Sequence, residues 1–100
     1  MVSISFESST GRLRLEGACR GQDTAVICEA LHTFSPLAVT LKVDLSAATR
    51  LDAEVAAALV DEKRRVERQG CRLSLVRRRG SDADLALCAA EVPPERLVDR

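Results

Sequence analysis

Aromatic residues are almost missing from this chain: it has no Trp and no Tyr, and Phe6 and Phe34 are its only two Phe. Any core must therefore be aliphatic. Net charge is missing as well, because 15 Lys and Arg balance 15 Asp and Glu. That argues against a generic nucleic-acid binder, which carries a basic excess. No apolar run approaches the roughly 18 residues that a membrane span needs, so no direct membrane insertion is expected. Met1-Val2-Ser3-Ile4-Ser5 lacks the basic start and apolar stretch of a secretory signal. A cytoplasmic location follows as the default. The five glycines are scattered and form neither GxGxxG nor a Walker loop. The four cysteines, at 19, 28, 71 and 88, show no CxxC spacing, and each lies in an apolar pattern. Free, mostly buried thiols are expected rather than a disulfide framework.

What is present is a single domain spanning residues 1–100. Hydrophobic residues make up 46% and charged residues 30% of the chain, a globular balance. A chain of this size buries roughly two-thirds of its unfolded surface, enough for one two-layer core. Val2, Ile4 and Phe6 alternate with polar residues, as do Leu13, Leu15, Gly17 and Cys19. With turn chemistry at Ser8-Ser9-Thr10-Gly11 between them, these read as a hairpin. Asp23 is placed to cap a helix from Thr24 to about Phe34, with Ile27, Leu31 and Phe34 on one stripe and Pro36 ending it. Val39, Leu41, Val43 and Leu45 mark the cleanest strand. A helix from about Asp52 to Gln69 follows, striped by Val55, Leu59 and Val66, with an Asp61–Arg65 pair four residues apart and Gly70 closing it.

Cys71, Leu73 and Leu75 mark a fourth strand. Ser81 with Asp84 resembles a capping box for a short helix from Asp82 to about Ala90, expected to bury Leu85, Cys88 and Ala89. Pro93-Pro94 stops it, and Glu95 to Arg100 reads as a short helical end or frayed coil. Every strand alternates, so the sheet has one dry and one wet face. The strand-helix-strand unit from Val39 to Val76 requires a parallel, right-handed crossover. The expected fold is α/β: a mixed four-stranded sheet with helices mainly on one face.

The order strand, Asp44-Leu45-Ser46, short loop, Leu51-Asp52, helix, Gly70, strand resembles the STAS domain, the family of sulfate transporters and anti-sigma factor antagonists. The stretch "VDLSAATRLDAEVAAALVDEKRRVERQGCRLSLV" carries the resemblance. It implies a non-enzymatic module without a cofactor, which docks a kinase-like anti-sigma factor through Asp44, Ser46, Thr49, Asp52, Ala53 and Glu54. In antagonist members a serine follows the acid equivalent to Asp52 and is phosphorylated. Here Ala53 takes that place and offers no oxygen. Either the domain is locked in its partner-competent form or it has left kinase control; phosphate on Ser46 or Thr49 would mean the switch had moved. The resemblance also leaves open a stand-alone subunit of a membrane transport or stressosome-like assembly, with an assembly ATPase as partner. A homodimer is compatible with the sequence.

Three sharper readings stand beside their plainer counterparts. Asp44 and Asp52 as an acid-base pair compete with a strand-end turn acid and a helix cap, the sites Asp favours. Cys28 and His32, four apart on the first helix, suggest a thiol-dependent enzyme or half a metal site, yet there is no second histidine. Lys63, Arg64, Arg65 and Arg68 are interleaved with acids like an ordinary solvated helix face. Arg77-Arg78-Arg79-Gly80 is less diluted and suits an acidic partner patch.

Overall fold

The computed structural model describes residues 2–90, and the backbone of residues 97–99. In chain order the elements are β1 (Ser3–Glu7), β2 (Arg12–Cys19), a 3-10 turn (Gly21–Asp23), α1 (Thr24–Phe34), a second 3-10 turn (Ser35–Leu37), β3 (Thr40–Asp44), β4 (Ala48–Leu51), α2 (Ala53–Arg68), β5 (Arg72–Arg77), α3 (Asp82–Ala89) and β6 (Leu97–Asp99). The main sheet runs β1-β2-β3-β5-β6, with β4 paired separately to β2. β1 and β2 form the antiparallel hairpin, with Ser3 opposite Glu16 and Glu7 opposite Arg12. All other pairings are parallel.

The mixed sheet with its helices on one face is thus present, carrying two more strands than the alternating runs announced. β4 occupies part of the expected Ser46–Leu51 loop. β6 stands where a helical end or frayed coil was expected; the rest of that end, including Pro93-Pro94, lies outside the described residues. Along β2, β3 and β5 the buried Leu13, Leu15, Leu41, Val43, Leu73 and Leu75 point to the helices. Their neighbours Arg12, Arg14, Lys42 and Ser74 face the other way and are exposed or half-buried. Ile27 and Leu31 of α1, Val55, Leu59 and Val66 of α2, and Leu87 of α3 complete one aliphatic core. Each fully buried Leu contributes about 1.5–3 kcal/mol. The two aromatics meet at its edge, with Phe6 and Phe34 rings stacked 4.4 Å apart.

Several local expectations change. Asp23 does not cap α1: its own backbone is helical, and its carboxylate accepts the Arg20 N–H at 3.0 Å, closing the preceding turn. Arg65 pairs with Glu62 at 2.9 Å rather than with Asp61. Glu62 is the buried acid of the two, so the guanidinium settles where a charge needs neutralising. α3 buries Ala83 and Leu87 and leaves Leu85, Cys88 and Ala89 exposed. Only Cys19 is a buried thiol; Cys28 and Cys71 are half-buried, Cys88 is exposed, and all four are free. α2 ends as expected: Gly70, at φ 84°, donates to the Glu67 carbonyl while Cys71 donates to that of Val66. This paired bonding satisfies the last helical carbonyls.

Candidate functional site

β2 is long enough to take two parallel neighbours in succession. β3 runs beside Arg12–Arg14, and β4 runs beside Gly17–Cys19, with a register shift between Gly17 and Ala18. β5 stays with β3 as far as Asp44, and the Leu45 N–H donates to the Val76 carbonyl at 2.7 Å. From there β4 remains with β2 while β5 leads away into α3. The strands part, and a cleft of about 480 Å³ opens between the Ser46–Thr49 segment and Arg78–Asp82.

Asp44, two residues before Ser46 of the cleft, is fully buried. Its carboxylate accepts the Ser46 N–H at 2.9 Å and sits 3.4 Å from the Arg12 guanidinium. An acid that bonds its own backbone two residues on is turn chemistry. Of the six residues singled out as partner-binding, Asp44 is therefore an internal anchor and presents no surface.

Asp52 precedes α2 with extended backbone (φ −70°, ψ 152°), as a cap should, but its side chain caps nothing in its own helix. One oxygen accepts the Gly21 N–H at 2.9 Å, and the other accepts the Arg50 Nε–H at 2.7 Å. The Asp52 N–H donates to the Cys19 carbonyl at 3.0 Å. The Gly21 bond first, and then Arg50, hold the Asp52 carboxyl below the usual carboxylate range. Glu54 closes over the same turn: a Cβ on Gly21 would fall 2.9 Å from its carboxylate. On the other flank, the Leu51 N–H donates to the Asp82 carboxylate at 2.7 Å. The start of α3 is fastened in turn. Ser81 Oγ accepts the Asp84 N–H at 3.2 Å, which is half of the expected box. Asp84 then reaches the Gly80 N–H and Arg77 instead of completing it.

Thr49, Ala53 and Glu54 are exposed around this fastened start of α2, while Ser46 is half-buried at the cleft. The structure so brings Thr49, Asp52, Ala53 and Glu54 to one corner. Gly21, Arg50 and Asp82 belong to it too, and sequence reading missed them. Asp52–Gly21 and Asp82–Leu51 each join residues 31 apart, so no local pattern reveals them.

The other sharp readings find no supporting geometry. Asp44 and Asp52 are turned to different partners. His32 Nε2 lies 2.9 Å from Glu62 Oε1, and burial, then the charges of Glu62 and Asp61, push the Cys28 thiol up. That is opposite to the activation a nucleophile needs. Among the described residues no cluster of three His, Cys, Asp or Glu could hold a metal, and no helix is long and apolar enough to cross a membrane. Lys63 is engaged with Glu67 and the Leu73 carbonyl, and Arg77 is buried against Asp84 at 3.0 Å. Arg78 and Arg79 remain exposed.

Residues 2–89 match the sequence profile of a family described as "Mlab, STAS domain". The chain belongs to the STAS domain family. Among solved structures, this STAS domain is similar to one titled "Crystal Structure Analysis of Mglu", with a TM-score of 0.56 and 20% identity. The likeness covers 73% of this chain and 18% of that one, and it speaks for the fold alone. No curated protein sequence matches the chain. The STAS assignment accounts for the helix-backed mixed sheet.

Proposed function

We propose that this STAS domain is a non-enzymatic docking module that grips a protein partner at the start of α2, with the usual serine phosphorylation switch missing at Ala53. The supporting observation is the fastening of the corner from both sides, by Asp52 to Gly21 and by Asp82 to Leu51. It leaves Thr49, Ala53 and Glu54 exposed on a preorganised platform. Interaction sites held by such supporting bonds lose less freedom on binding. Ala53 has no hydroxyl, so contact there is set by shape and by the fixed charge of Glu54. As the family resemblance implies, the partner is a kinase-like anti-sigma factor, and the domain takes part in transcription regulation as its antagonist.

Ala53 itself favours a second reading, a structural subunit of a membrane transport or stressosome-like assembly, since a permanent subunit needs a contact and no switch. The two readings share the surface and differ in the ATPase bound. Titration calorimetry against a purified kinase-like anti-sigma factor and a purified transporter ATPase separates them. In either case Ala53→Arg should weaken binding at least tenfold with the melting temperature unchanged. Undiminished affinity of that variant would remove the corner from the interface.

A further inference from the structure

We infer that the cleft beside the corner receives an acidic side chain of the docked protein, held by the Arg78 guanidinium and the Ser46 and Thr49 hydroxyls. The inference rests on the docking reading above and adds the chemistry the partner must bring. The cleft and the exposed start of α2 share one short strand. Ala48 and Thr49 of β4 line the cleft, and Ala53 follows four residues after Thr49. A protein resting on Thr49 and Ala53 therefore covers the cleft mouth.

The nearby charges are already sorted. Arg77 is folded inward onto Asp84, 4% exposed. Asp44 is buried against Arg12 and the Ser46 N–H. Asp82, the one acid on the cleft wall, accepts the Leu51 N–H. Arg78 is exposed at the rim and meets no acid among the described residues. A guanidinium presents a planar fork of donors that matches a carboxylate in two parallel bonds, and the two hydroxyls add donors on the facing wall. The lining holds no large apolar side chain: Ala47, Ala48 and Gly80 stand among Ser46, Thr49, Arg78, Arg79, Ser81 and Asp82, so specificity there falls to polar groups. A volume of about 480 Å³ suits side chains, and the neutral whole-chain charge offers nothing further to a nucleic acid.

The test uses the full chain and needs no identified partner. Amide spectra are followed during titration with hexaglutamate, hexaglutamine and inorganic phosphate at equal ionic strength. Hexaglutamate should move the amides of Ser46, Thr49 and Arg78 to Asp82, hexaglutamine should not, and added salt should weaken the effect. Arg78→Ala, an exposed change that spares the fold, should weaken hexaglutamate binding at least fivefold. Shifts confined to other basic residues such as Arg64 and Arg68, or insensitive to Arg78→Ala, would overturn the inference. So would phosphate binding as tightly as the peptide, which would make the cleft a small-anion site. The hexaglutamate titration involves no ATPase. A failure of the docking reading, seen only with the purified ATPases, is thus distinct from a failure here.

Discussion

Replacing Gly11 and Gly70 by Ala, one at a time, separates two physical effects that usually arrive together. Both glycines have positive φ, 67° and 84°. An Ala in that region costs about 1–2 kcal/mol, partly offset by about 0.4–1 kcal/mol from a stiffer unfolded chain. At Gly70 a new Cβ meets nothing within 4 Å, so the net loss should be about 1 kcal/mol. At Gly11 the Cβ would fall 2.7 Å from the Thr40 carbonyl oxygen and 3.3 Å from the Ala38 Cβ. Backbone cannot swing aside as a side-chain tip can, so residue 11 must move. The bond from the Lys42 N–H to the Gly11 carbonyl, now 2.8 Å, is the first casualty. Losing it adds about 1–3 kcal/mol, bringing Gly11→Ala to about 3 kcal/mol.

The gap of about 2 kcal/mol between the variants corresponds to about 8–16 °C in melting temperature for a domain of this size. Without Trp or Tyr the assay is circular dichroism, in urea and on heating, with the denaturant slope expected to stay constant. Losses equal to within about 0.5 kcal/mol, the usual scatter of benign substitutions, would refute the steric argument and with it the close approach of Gly11 to Thr40.

Three further outcomes are expected. The Asp52 carboxyl is held low in the folded state, so its stabilisation is complete above the unfolded carboxyl range, about pH 4, and is lost as pH falls through the folded value. Asp52→Asn should therefore flatten the acid limb of the urea midpoint plotted against pH. Cys19 is buried, and burial followed by the Asp23 charge pushes its thiol up to about 11. A thiol-disulfide reagent should label exposed Cys88 first and reach Cys19 only on unfolding; rapid native labelling of Cys19, read by peptide mapping, would contradict its placement. Leu87→Ala should cost about 2–5 kcal/mol and Leu85→Ala less than about 0.5 kcal/mol, since Leu87 is fully buried and Leu85 is 64% exposed. The reverse ranking in urea melts would mean that α3 is turned the other way.

The contrast between those two leucines marks where sequence stops being legible. Leu13, Leu15, Leu41, Val43, Leu73 and Leu75 announce their strands because a one-sided sheet enforces period two over several residues. Gly70 announces the end of α2 because the closing turn needs a residue free of a Cβ penalty. α3 has only eight residues, nearly all small or apolar, and its orientation comes from Asp82 and Asp84 reaching Leu51 and Arg77. β4 and β6 span four and three residues, too short for a period. The corner was legible as a place, through Leu51-Asp52 before an apolar stripe. Its construction was not, because the groups that hold it are backbone N–H donors on distant segments, and every residue but proline has one.

One consequence of how Asp52 is used concerns its successor. The first turn of α2 does not rely on a hydroxyl at position 53, nor on Asp52 as a local cap; its footing is on two neighbouring segments. Whatever side chain evolution or an experimenter installs there, the helix keeps its beginning. Position 53 is therefore an exposed place whose chemistry can be rewritten while the hand beneath it stays still.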